Sequence, residues 1–167
     1  MKHIISLLLL FGCVVAEGNS SGTHNISFTI TEGTWMSVDL SPNGKTIAFD
    51  LLGHIYLLPI SGGKARAITN GTSWNMFPRF SPDGNTILFT SDRSGSDDLW
   101  TQDLSSGEMK NISEMKLPVH QGTWSNDGRH VFGTALNMKV RHPVYMFNMY
   151  GEKQEIEIGR ASCRERV

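Results

Sequence analysis

Apolar residues in this chain come in short, separate runs, and polar, glycine-bearing stretches divide them. In "HIYLLPISGG" the large apolar residues Ile55 and Leu57 alternate along one face, the period of a half-buried strand. The runs Thr46 to Phe49 and Thr86 to Phe89 are rich in the β-branched and aromatic residues that suit a pleated surface. Outside the first residues no stretch keeps a 3.6-residue apolar period. The pattern predicts an all-β chain of short strands.

The strands recur as a set. "SPNGKTIAF" begins at Ser41, "SPDGNTILF" at Ser81 and "SNDGRHVFG" at Ser125. Upstream, "VDL", "PRF" and "GTW" end at Leu40, Phe80 and Trp124; downstream, Tyr56, Trp100 and Tyr145 fall in register. Each unit closes on a short β-prone piece, "ARAIT", "MKNIS" or "KQEI". One unit thus reads as strand, Ser-Pro-Asp/Asn-Gly turn, strand, polar turn, strand, glycine turn, strand. Four antiparallel strands in about 40 to 45 residues is the length of a β-propeller blade. The expected units span about 33–71, 72–113 and 114–156.

The turns explain the most polar stretch, "SPDGNTILFTSDRSG". Proline presets φ at the first turn position, Asp or Asn bonds its own backbone, and glycine takes positive φ. Pro42, Asn43 and Gly44, Pro82, Asp83 and Gly84, and Asn126, Asp127 and Gly128 are therefore read as structural turn residues. The third unit departs from the pattern, with Asn126 in the proline position and "TALNMKVRH" replacing the "SDRSG" turn. Arg93 has no counterpart in the other units and is a candidate contact residue. So are Trp35 and Trp74, placed before the first strand of their units, and Arg79 in "WNMFPRF". Trp100 and Trp124, on strands, read as core.

The ends belong to neither pattern. Residues 1–16 carry a basic start (Lys2, His3), an apolar run from Ile4 to Val15 and small residues at Val14 and Ala16. That is the layout of a secretory signal cleaved after Ala16, with a lipoprotein signal at Cys13 as the alternative; the run is short for a membrane span. Residues 17–25 read as a linker, and His24 to Thr31 as a strand of the closing blade. Glu157–Val167 resembles a translated sequencing adapter whose frame reads Ile-Gly-Arg-Ala-Ser-Cys-Arg-Glu-Arg-Val. The expectation is that the natural sequence of this fragment stops near Ile156.

Setting both ends aside takes the 15 basic and 16 acidic residues to 11 and 14, a weakly acidic chain with neither cysteine. That excludes a nucleic-acid footprint, a disulfide framework and a thiol nucleophile. His24, His54, His120, His130 and His142 show no metal-ligand spacing. No Gly-x-Ser-x-Gly elbow occurs, and "SGGK" precedes a strand where a phosphate loop opens a helix. No catalytic or metal-binding residue is assigned. The Asn-x-Ser/Thr sequons at Asn19, Asn25, Asn70 and Asn111 acquire sugar only in a glycosylating secretory pathway.

The Ser-Pro-Asp-Gly turn followed by "TILFTSDRSGSDDLW" resembles the TolB-type, WD-like propeller repeat over nearly all of Ile26 to Ile156. "EGTWMSVDLSPNGKTIAFDLLGHIYLLPISGG" resembles, more narrowly, the amino-terminal propeller of secreted amidohydrolases of the imidazolonepropionase-like type. The resemblance implies an incomplete propeller of three four-stranded blades, preceded by a signal peptide. It implies a non-catalytic docking, gating or protein-interaction role beside a metal-dependent C–N hydrolase barrel. The divalent metal, zinc by expectation, would sit in that missing domain, with no cofactor in this fragment. Expected partners are the missing C-terminal domain, the remaining blades and a protein or peptide, with no nucleic acid and no membrane span. Two rivals stay open: a stand-alone TolB-like periplasmic binding protein, and the propeller of a prolyl-oligopeptidase-like serine hydrolase.

Overall fold

In the computed structural model the described residues are 33, 35–136, 143–150 and 152–156. Every regular element among them is a strand. The first sheet holds β1 (Val38–Leu40), β2 (Thr46–Leu51), β3 (His54–Pro59) and β4 (Arg66–Ala67). The second holds β5 (Asn75–Phe80), β6 (Thr86–Ser91), β7 (Asp98–Asp103) and β8 (Met109–Asn111). The third holds β9 (Val119–Trp124), β10 (His130–Ala135), β11 (Val144–Asn148) and β12 (Lys153–Ile156). Each sheet is an antiparallel meander of consecutive strands, which makes the chain three four-stranded blades of an incomplete propeller. The signal reading, the linker, His24 to Thr31 and the adapter-like tail lie outside the described residues.

The register repeats as the sequence does. Phe49 faces Tyr56, Phe89 faces Trp100 and Gly133 faces Tyr145 across the second and third strands of successive blades. Among the first strands β5 adjoins both β1 and β9, and β5 and β9 each adjoin the second strand of the preceding blade, so the first strands form the inner edge while the fourth strands lie outermost.

Two apolar seams join the blades. Ala48, Ile55 and Leu57 of blade one meet Phe80, Ile87 and Phe89 of blade two, with Trp100, Leu104 and Met109 packed around them. Leu88, Leu99 and Ile112 of blade two meet Val119, Val131, Ala135 and Phe147 of blade three. Alternation drives this arrangement: Ile87 and Phe89 point back to blade one while Leu88 points on to blade three. Each such side chain, fully buried, contributes about 1.5–3 kcal/mol.

Backbone bonds cross both seams at equivalent places. Asn75 N donates to Gly53 O (3.0 Å), and Val119 N to Asp97 O (2.7 Å). Each ties a first strand to the hairpin end between the second and third strands of the blade before it. Ile55 N and Leu99 N donate to the hydroxyls of Thr69 and Ser113 (both 2.9 Å), which gives the closing "AIT" and "NIS" pieces their place.

Candidate functional site

The three Ser-Pro-Asp-Gly-type turns share one geometry. Ser41 Oγ donates to Asn43 Oδ1 (2.8 Å) and accepts from Thr46 N (2.9 Å). Ser81 does the same with Asp83 and Thr86 (2.6 and 3.0 Å), and Ser125 with Asp127 and His130 (2.5 and 2.9 Å). Gly44, Gly84 and Gly128 have φ of 70°, 75° and 69°, in the region glycine enters freely. The serine hydroxyl and the backbone N–H of Asn85 hold the Asp83 carboxyl below its ordinary range, and Ser125 and Arg129 N act likewise on Asp127. These carboxylates are committed to their own turns.

The prolines have a second task. The Pro42 ring lies against Gly84, where a Cβ would stand 3.4 Å from Pro42 Cδ, and the Pro82 ring lies against Gly128 at 3.6 Å. Each turn thus stacks on the next blade's turn. Between the turns of blades two and three lies a groove of about 470 Å³, lined in part by Pro82, Asp83, Trp124, Asp127 and Met149.

Of the four contact candidates, two are anchored inside the blade stack. The Arg93 guanidinium donates to Asn75 Oδ1 (2.7 Å) and Ser91 Oγ (3.0 Å), contacts Met109 Sδ, and lies over the rings of Phe89 (5.3 Å) and Trp100 (5.0 Å). Burial lowers its pKa, partly opposed by the charge of Asp92. Arg79 donates to Pro78 O (2.9 Å) and, at 3.5 Å, to Val38 O, while its own carbonyl accepts from Trp124 Nε1 (3.2 Å). It therefore links the first strands of all three blades. The two tryptophans remain available to solvent: Trp35 is 100% exposed and Trp74 53%. The Trp74 indole lies on Gly53, where a Cβ would come within 3.0 Å of it. Trp74 N donates to Asp92 Oδ1 (2.8 Å), so the residue sits between two hairpin ends.

Several residues of this inner edge had no signal in the repeat. Asn75 is fully buried and makes three side-chain bonds, to Gly53 O, Ser73 O and Arg93. Asp50 accepts from Ser37 N (2.9 Å) in its own blade and Phe77 N (2.8 Å) in the next, and Asp39 accepts from Phe80 N (2.7 Å). Phe77 and Gln121 sit at irregularities of β5 and β9 with φ of 57° and 52°, costly for non-glycine residues. His120 pairs with Asp97 at 3.0 Å across the second seam. A repeat alignment could have exposed the Asp pair only as a departure, since Thr90 occupies in blade two the place of Asp50. Among the described residues no three His, Cys, Asp or Glu side chains group to hold a metal. No helix among them is long and apolar enough to cross a membrane.

The model of the TolB beta propeller domain family matches residues 19–157. The chain is 28% identical over 89 residues to Tricorn protease homolog 1 of Streptomyces coelicolor, 53% of this chain and 8% of that protein. It is 40% identical over 58 residues to the Tol-Pal system protein TolB of Bordetella pertussis, 34% of this chain and 13% of that protein. Among solved structures it resembles a putative TolB from Agrobacterium tumefaciens, with a TM-score of 0.67 and 22% identity over 75% of this chain and 50% of the other. TolB from Acinetobacter baumannii gives a TM-score of 0.62 and 26% identity, covering 74% of this chain and 32% of that one. The matches thus span half or less of each relative. The chain belongs to the TolB beta propeller domain family.

Proposed function

We propose that this family member is the non-catalytic propeller segment of a larger exported protein, and that it serves as a docking and gating scaffold. One observation carries the reading. The face of blade two turned to blade one is filled, with Phe80 at 8% exposure and Ile87 and Phe89 at 0%. The equivalent face of blade one carries Val38, Leu40 and Ile60 at 56%, 50% and 56%, beside the stacked Phe49–Tyr56 pair (5.5 Å, 16°). A surface built like a blade seam, but open, suits a further blade. Trp35 and Trp74 flank the inner edge, where a protein or peptide partner would be met.

The parent enzyme favoured by the stretch Glu32 to Gly63 is an amidohydrolase. Its metal-activated water would attack a C–N bond in a separate barrel, and the blades would dock on that barrel or screen its entrance. The serine-hydrolase alternative draws support from relatives named as a tricorn protease homolog and an uncharacterized peptidase of Bacillus subtilis. The stand-alone alternative draws it from the TolB relatives.

The coding sequence past Ile156 in the source DNA tests the reading. Further four-strand repeats followed by an early His-x-His at a strand end support the amidohydrolase. A Gly-x-Ser-x-Gly segment before a helix supports the serine hydrolase, and a stop after about six blades in all supports the binding protein. A continuation without further blades overturns the scaffold reading itself.

A further inference from the structure

The chain holds two Asn-Gly dipeptides among its described residues, and the fold treats them in opposite ways. In an Asn-Gly pair the glycine amide nitrogen can attack the asparagine side-chain carbonyl carbon, because no Cβ on the glycine blocks the approach. A C–N bond forms to give a five-membered succinimide, and the side-chain nitrogen leaves as ammonia. Water then opens the ring at either carbonyl, leaving Asp or its β-linked isomer. The balance is one water in and one ammonia out, and no oxidant or enzyme is needed. The step requires a glycine nitrogen and an asparagine side chain that are free to meet.

At Asn43–Gly44 neither is free. Gly44 N donates to Ser41 O (2.8 Å), and Asn43 Oδ1 accepts from both Ser41 Oγ (2.8 Å) and Lys45 N (3.0 Å). At Asn70–Gly71, in the link between β4 and β5, Asn70, Gly71 and Thr72 are all exposed. Gly71 has a φ of 89°, and no described residue bonds the Asn70 side chain or the Gly71 nitrogen. Asn111, the other sequon asparagine among the described residues, is followed by Ile112 and is engaged with Asp98, Ser113 and Glu114.

We propose that Asn70 is a site of spontaneous covalent modification in the folded protein, converting to aspartate and isoaspartate, and that the Ser41 turn shields Asn43 from the same fate. The modification falls beside Thr69, whose hydroxyl accepts from Ile55 N (2.9 Å) at the seam of blades one and two. It places a new negative charge, and in the isomer an extra backbone carbon, at that joint.

The test is peptide mapping of the full chain, aged at mildly alkaline pH both folded and in concentrated urea. Conversion is read as the mass change of replacing side-chain NH2 by OH, with the isomers resolved by chromatography. In the folded protein Asn70 should convert at least about tenfold faster than Asn43, since opening the Ser41 turn costs the equivalent of one hydrogen bond and 1.4 kcal/mol is a factor of ten. In urea the two rates should converge. Equal rates in the folded protein overturn the proposal. So does an Asn70 that stays intact when folded but converts in urea.

Discussion

Asp98 shows how much one side chain holds in place. Its carboxylate accepts from Ser113 Oγ and Ser94 Oγ (both 2.6 Å), Asn111 Nδ2 (3.1 Å) and, at 3.4 Å, Met115 N. Burial works to raise its pKa, yet the bonds from Ser113, Ser94 and Asn111 outweigh it and hold the group below its ordinary value. A carboxyl depressed in the folded state contributes stability above its unfolded pKa, about 3.9, and that stability is lost as pH falls through the folded value. The chain should therefore lose stability below about pH 4. Asp98→Asn should cost about 1–3 kcal/mol at neutral pH and flatten part of the acid slope. Urea midpoints measured from pH 3 upward would show both, and an unchanged slope would rule Asp98 out as a contributor. Asp50→Ala strands the N–H groups of Ser37 and Phe77 and should cost a similar amount, about 1–3 kcal/mol, read as a lowered urea midpoint with unchanged m-value.

Between elements, size complementarity decides which residues a seam accepts. Blade one offers small Ala48 where blade two offers Leu88, so Phe89 fits the first seam and Gly133 stands in its place at the second. A Cβ at Gly133 would come within 2.7 Å of both Leu99 Cδ1 and Val119 Cγ1, and one at Gly122 within 2.9 Å of Leu88 and Leu99. Gly133→Ala should thus destabilise by about 1–3 kcal/mol through overpacking. Adding Leu99→Ala should recover part of that loss, a coupling that a double-mutant cycle of thermal or urea unfolding would detect. Additive effects would mean the seam relaxes without Leu99. At Gly133 the departure of blade three from the repeat is therefore a matched change and not decay of the pattern.

The three blades bury their faces against each other in series, and the first face in the series is open. Residues 17–156 expressed alone should aggregate or melt broadly, because Val38, Leu40 and Ile60 present an uncovered seam. Leu40→Lys should raise the soluble fraction of that fragment without shifting its circular dichroism spectrum. A soluble monomer with one sharp unfolding transition before any substitution would contradict the open-seam account, and with it the expectation that a further blade belongs there.

The order of strands, their four-membered grouping and the turn chemistry were legible in the residues, because each is local. Alternation sets strands, Ser-Pro-Asp-Gly sets turns, and a 40- to 44-residue recurrence sets the blade. The roles of Asn75, Asp50, Asp39 and Arg93 were not, because their partners lie 18 to 41 residues away, on neighbouring blades or hairpins. A repeat tells which residue occupies a position and not what the next blade presents to it. Only the folded chain showed that Pro42 and Pro82 pack on the glycines of the next blade's turn, and that Arg93 turns inward while Trp35 and Trp74 stay exposed. Local bonding fixes the blade, and contact across the seams fixes what each residue is for.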